Sequence, residues 1–157
     1  MKTKIILFIA LIITALVSCD NDNKIESDDS LVFSYRHWGG WSGLDENLKI
    51  TKNYTFYSIT YKVLGENSKN VEYSDNIKTS REVWNVLEKS FDLETFNKIQ
   101  SGKSSIPLDG RDAMFSVIIK GKEYSFFNGY DDEHYKQMQE FFDAMYEQIK
   151  YFEDKKN

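Results

Sequence analysis

Near the C-terminus six large apolar side chains, Tyr135, Met138, Phe142, Met145, Ile149 and Phe152, recur at steps of three and four residues. That spacing gathers all six on one face of a helix. Such a face is not stable in water by itself, so the rest of the chain must supply an apolar layer to cover it. Asp131, Asp132 and Glu133 stand before the helix and Lys155 and Lys156 close it. Each sign matches the helix dipole at its end.

The upstream chain reads as that layer. Residues 31–37 alternate Leu31, Phe33 and Tyr35 with Val32, Ser34 and Arg36, which is strand spacing. Leu44 to Ile50 predicts a second strand. Tyr54 to Val63 is the clearest strand, rich in β-branched and aromatic residues, with Tyr57, Ile59, Tyr61 and Val63 on one face. Val71 to Lys78 is more polar and suits an edge. Ala113–Ile119 and Glu123–Phe127 flank Lys120-Gly121-Lys122, a hairpin signature.

Between these groups lies a helical pair. Thr79 and Glu82 are spaced as a capping box, followed by Val83, Val86, Leu87 and Phe91 at helical intervals. Asp92 can cap a second short helix carrying Leu93, Phe96 and Ile99, with Gly102 to close it. Residues 101–111 form a loop around Pro107, the only proline. Strands, helices, hairpin, helix in this order predict one α+β domain. It has a mainly antiparallel sheet packed by the mid-chain helical pair and the long C-terminal helix.

The N-terminus reads as a leader. Lys2 and Lys4 precede Ile5–Val17, thirteen residues interrupted only by Thr14. About 20 apolar residues are needed to span a membrane, so this run suits a cleaved secretory signal. Leu16-Val17-Ser18-Cys19 resembles the lipobox of bacterial lipoproteins. That resemblance implies cleavage before Cys19 and lipid on its sulfur. Cys19 is the only cysteine, so no intramolecular disulfide exists. Residues 20–30 carry five acids and one large apolar residue, Ile25, and read as a flexible tether. They resemble the acidic segment after the lipidated cysteine in Bacteroidota-type lipoproteins, which implies an outer-membrane anchor, on the cell surface or otherwise on the periplasmic face. Asp29-Ser30-Leu31 resembles the O-glycosylation acceptor of that group. The organisation expected is therefore leader 1–18, tether 19–30, domain 31–153 and charged tail 154–157. Loss of Lys2 and Lys4 takes the formal charge from −5 to −7. An acidic chain of this kind does not suit nucleic acid, whose phosphates call for basic patches.

Signatures of catalysis are missing: there is no HExxH, CxxC, GxSxG or phosphate loop. No cofactor is implied. His37 and His134 could each serve as a base if the fold brought a carboxylate near, which keeps a hydrolase open as one reading. Asp109, Asp112, Asp131, Asp132 and Glu133 could draw calcium if two loops met, but they lack the EF-hand register, and capping accounts for them more simply.

The remaining feature is Tyr35-Arg36-His37-Trp38-Gly39-Gly40-Trp41-Ser42-Gly43. Trp, Tyr and Arg dominate binding hot spots, and glycine lets backbone turn sharply or approach a partner closely. Arg36, Trp38, Gly39, Gly40, Trp41 and Gly43 are the candidate partner-binding residues. A tight corner with its rings in the core is the competing reading. Gly39-Gly40-Trp41-Ser42-Gly43 resembles the GGFxG corner of emfourin-like domains, small inhibitors of thermolysin-type metalloproteases. Arg36 before the glycines, Leu87 with Phe91 and Phe96, and Asp112 before Phe115 fill further places of that pattern, which spans roughly 31–149. His37-Trp38 lengthens the gap after Arg36, and Trp41 stands for the usual Phe. The resemblance implies a non-catalytic protein-binding domain whose partner is a secreted protease. A small-ligand or glycan site with Trp38 or Trp41 as a stacking ring is the alternative.

Overall fold

The computed structural model of the chain describes residues 31–65 and 68–156. The expected leader, Cys19 and the tether lie outside these residues. Six strands form one antiparallel sheet: β1 (Leu31–Gly39), β2 (Leu44–Ile50), β3 (Tyr54–Val63), β4 (Lys69–Lys78), β5 (Arg111–Ile119) and β6 (Lys122–Phe127). Their order is β4-β3-β2-β1-β5-β6, so β1 lies in the middle, paired on both sides. Helices α1 (Arg81–Ser90), α2 (Leu93–Phe96), α3 (Glu133–Gln137) and α4 (Gln139–Lys156) complete an α+β domain. The polar strand β4 lies at an edge, where unpaired backbone groups favour charged neighbours.

Alternation decides which face is covered. Phe33 and Tyr35 of β1, Leu48 and Ile50 of β2, Tyr57 and Ile59 of β3, and Phe115 and Val117 of β5 are buried, and helical aromatics pack against them. Phe33 meets Trp84, Phe91 and Phe141 at 5.7, 5.3 and 5.1 Å between ring centres. Phe115 meets Phe142 at 4.7 Å, and Tyr57 stacks on Phe152 at 5.2 Å. Offset and edge contacts of this kind each add about 0.5–1.5 kcal/mol beyond area burial. All six residues of the C-terminal stripe are buried.

Local details differ from expectation in four places. Ser80, not Thr79, caps α1, its side chain accepting from the Val83 amide. Thr79 is instead buried, donating to the Thr51 carbonyl at 2.8 Å and sharing a hydrogen bond with Thr55 at 2.9 Å. Within α1 the buried residues are Trp84 and Leu87, one turn apart, with Trp84 packed on Phe33, while Val86 is exposed. The C-terminal stripe is carried by two helices, α3 and α4, with Met138 between them in a non-helical conformation. Helix α4 runs through Asp154–Lys156, expected as tail. The Lys120-Gly121 turn has φ of 50° and 79°, the two left-handed positions of a type I′ hairpin.

Candidate functional site

The glycine corner joins β1 to β2 at one end of the sheet. Gly39, Gly40 and Gly43 take φ of 110°, 70° and 57°. At Gly39 the absence of a side chain also matters, since a Cβ there would lie 2.9 Å from the Gly110 carbonyl oxygen. The Gly40 amide donates to that oxygen at 3.0 Å, the Gly43 amide closes the turn on the Gly40 carbonyl, and the Lys62 amide donates to the Ser42 carbonyl at 2.7 Å. The corner is thus bonded on one side to the loop before β5 and on the other to the end of β3.

The two tryptophans have different surroundings. Trp41, past the end of the strand, is 76% exposed. It borders a shallow depression with Ser42, Thr60, Lys62, Asn70 and Glu72. Trp38 is half-buried on the face of the sheet that the helices leave open, with the Arg36 guanidinium 5.4 Å from its ring centre. Arg36 is engaged elsewhere as well: Nε and Nη2 donate to the two oxygens of Asp45 at 3.0 and 3.1 Å. The hydrogen bonds from Arg36, aided by Asn47, hold the Asp45 carboxyl below its ordinary range.

Behind the corner, on the helical side, His37 and Glu46 face each other across the β1–β2 pair. Glu46 is 6% exposed. Its Oε1 accepts from the Tyr57 hydroxyl at 2.7 Å, and its Oε2 lies 3.4 Å from His37 Nδ1. Burial pushes the Glu46 carboxyl up, but the hydrogen bonds from His37 and Tyr57 outweigh it and leave it below the ordinary value. The pair borders a cleft of about 340 Å³ shared with Ser42, Arg111, Glu153 and Lys156. An imidazole held by a carboxylate has the orientation a general base needs. A positioned nucleophile is the other half, and among the described residues no hydroxyl hydrogen-bonds to His37. His134 lies 3.0 Å from Asp132, but Asp132 also accepts the His134 and Gln100 amides, as a helix cap does. Among the described residues, no group of three His, Cys, Asp or Glu side chains is placed to hold a metal.

Asp112 carries the adjoining loop. It is buried and accepts from the Ser104 hydroxyl at 2.6 Å, the Ser105 amide at 2.8 Å and the Asn128 amide group at 2.8 Å. Burial acts to raise its pKa, yet these donors hold it below the ordinary carboxylate range. The loop they fix contains a 3₁₀ turn, Ile106–Leu108, whose Leu108 is 89% exposed. Ile106 packs toward Gly39, so loop and corner form one rim. Arg111 and Glu46 are site residues that motif searching does not find. Strand phase could have found Glu46: Leu44, Leu48 and Ile50 face inward, and Glu46 shares their parity.

No protein-family model and no curated protein matches the chain.

Proposed function

We propose that the chain is a non-catalytic lipoprotein whose domain binds another protein through the end of the sheet that carries the glycine corner. The carrying observation is where the exposed large apolar residues fall. Of the eight exposed large apolar residues among those described, five, Trp41, Val63, Leu64, Ile106 and Leu108, belong to turns and strand ends at that one end of the sheet, while Val86 and Tyr151 lie on helices and Tyr130 follows β6. Clustered exposed apolar side chains on rigid turns mark interaction surfaces, where scattered single ones do not. Chain direction supports the same reading. β1 begins at Leu31 and reaches the corner eight residues later, about 26 Å away at ~3.3 Å per residue. With lipid on Cys19, at the outer membrane and on the cell surface or periplasmic face, the corner is held on the side of the domain away from the tether. Metalloprotease inhibition is the specific form that the likeness to emfourin-like domains implies.

The test uses residues 20–157 with and without Trp41→Ala. Each is assayed for inhibition of a thermolysin-type metalloprotease and as bait for secreted proteins, at matched folded fraction. The reading expects at least one protein bound by the wild type and lost with Trp41→Ala. Equal recovery by both baits refutes it. Inhibition in neither case removes the protease as partner. A second reading rests on the depression beside Trp41, where a ring stands next to hydroxyl, amide and charged groups as in a sugar-stacking site. Glycan-array binding abolished by Trp41→Ala, with no protein captured, selects that alternative.

A further inference from the structure

The end of the sheet opposite the corner is where the chain enters the fold, at Leu31. Strand register shows which residues share that end. Leu31 pairs with Ile119, and Ile119 with Lys122, so the Lys120-Gly121 turn stands on one side of the entry point. On the other side Phe33 pairs with Ile50, and Ile50 with Thr55, which places the 51–53 turn and Lys52 there. Tyr54 pairs with Lys78, the Thr79 amide donates to the Asn53 carbonyl, and Arg81 opens α1 just beyond. Arg81, Lys78, Lys52, Lys120 and Lys122 thus form a row across the end of the sheet, with Leu31 inside it.

All five are exposed, and among the described residues none lies within ion-pair distance of a carboxylate. Lys122 lies 4.6 Å from the Tyr124 ring centre, a contact that leaves its charge unneutralised. The acids adjoining the row are Glu82, which accepts from Ser80 and its own backbone amide at the start of α1, and the exposed Glu123. Five cations against two acids leave this end at +3, in a domain that sums to −3 over residues 31–157, with seventeen bases and twenty acids. The remainder of the domain therefore carries −6.

We propose that this basic end docks on the anionic phospholipid headgroups of the membrane that holds Cys19, and so stands the domain upright with the glycine corner outermost. The inference rests on the lipoprotein reading and adds what the domain itself touches. Each Lys or Arg near an anionic surface contributes a factor of about five in binding. Twelve residues separate Cys19 from Leu31, a span of at most about 40 Å. The anchor therefore keeps the row within reach of the surface and makes docking an intramolecular step. The acids of residues 20–30 offer the row a different occupant, the tether itself, which the test separates.

Residues 19–157 are coupled through the Cys19 thiol, the only one in the chain, to a maleimide-headed lipid. The vesicles are phosphatidylcholine alone or phosphatidylcholine mixed equally with phosphatidylglycerol, and lysine acetylation is mapped by mass spectrometry. On the mixed vesicles Lys52, Lys78, Lys120 and Lys122 are expected to label about fivefold more slowly, while Lys62 and Lys69 at the corner end keep one rate on both. Molar salt should abolish the difference, since it shortens the screening length to about 3 Å. Changing both Lys120→Gln and Lys122→Gln removes two of the five factors, about 25-fold in docking. It should return Lys52 and Lys78 to their rate on phosphatidylcholine, with an unchanged thermal midpoint. Equal rates on the two vesicles overturn the inference. Slow labelling of the row on both vesicles, relieved by Asp28→Asn with Asp29→Asn, gives the row to the tether and overturns it too. The coupling supplies the anchor, so the lipoprotein reading is checked apart from it. The mass of the mature chain from bacterial membranes must include lipid on Cys19, and an unmodified Cys19 overturns that reading whatever the labelling shows.

Discussion

Removing one hydroxyl tests the buried pair behind the corner. In Tyr57→Phe the ring keeps its stack on Phe152, at 5.2 Å and 7° between planes, so packing is preserved. What goes is the 2.7 Å hydrogen bond to Glu46, leaving a buried carboxylate with the longer contact to His37. A hydrogen bond to a charged group contributes about 1.5–3 kcal/mol. The cleft lets some water reach the carboxylate, so a loss near 2 kcal/mol is expected. In a Glu46→Gln background the same hydroxyl meets a neutral amide, and its removal should cost about 1 kcal/mol. The difference, about 1 kcal/mol, is the coupling energy of the cycle. Its pH dependence has a fixed sign. The folded pKa of Glu46 lies below its ordinary 4.5, so its contribution is present above that pH and fades as pH falls through the folded value. Urea unfolding of the four proteins at pH 7 and again near pH 3 reads both quantities. A Tyr57→Phe loss below about 0.5 kcal/mol at pH 7, or one that is the same with Gln at position 46, refutes the reasoning.

Gly39→Ala combines a φ of 110° with a Cβ 2.9 Å from a carbonyl oxygen, so it should destabilise by about 2–4 kcal/mol. Gly43→Ala has open space at φ 57° and should lose about 1 kcal/mol, both read by urea unfolding. Asp112→Asn turns an amide group toward the hydroxyl and amide donors that the carboxylate accepts. It should lower the thermal midpoint and raise proteolytic cutting in 104–110, while its acid sensitivity below pH 4 decreases relative to wild type. Tyr35, Tyr57, Tyr135 and Tyr146 all have raised pKa values, burial being the first cause, with Tyr135 pushed up to about 12. Their neutral forms favour folding, so stability is full below the unfolded value near 10 and falls as pH rises above it. Tyrosinate absorbance should therefore show a late step that coincides with loss of the far-ultraviolet signal.

Period and parity made the layers readable. The limits of β2 and β3 follow from alternation bounded by polar turns, and the C-terminal stripe announced its own burial. The break at Met138 was not readable, because the same stripe continues across it. The cap of α1 was ambiguous between two adjacent hydroxyls. Thr79 was claimed by Thr51 and Thr55, contacts 28 and 24 residues away that no local window contains. The corner was readable as a turn but not as a surface. Strand parity reaches Trp38 and places it beside Arg36, whereas Trp41 lies beyond the last paired residue, where parity has no meaning. Arg36 and Arg111 look alike in sequence. Only the diagonal approach of Asp45 across the β1–β2 pair distinguishes them.

The run of β1 from Leu31 to the corner has a mechanical consequence. A partner drawing on Trp41, while the chain is held upstream of Leu31, applies tension along the strand from end to end. β1 is hydrogen-bonded to β2 on one side and β5 on the other, with β5 in register over its full length. An already extended strand carries such a pull through its own covalent backbone, so the bonds to β2 and β5 and the helices on the sheet lie outside the path of the load. The domain is thereby built to stay folded under load between its N-terminus and its corner.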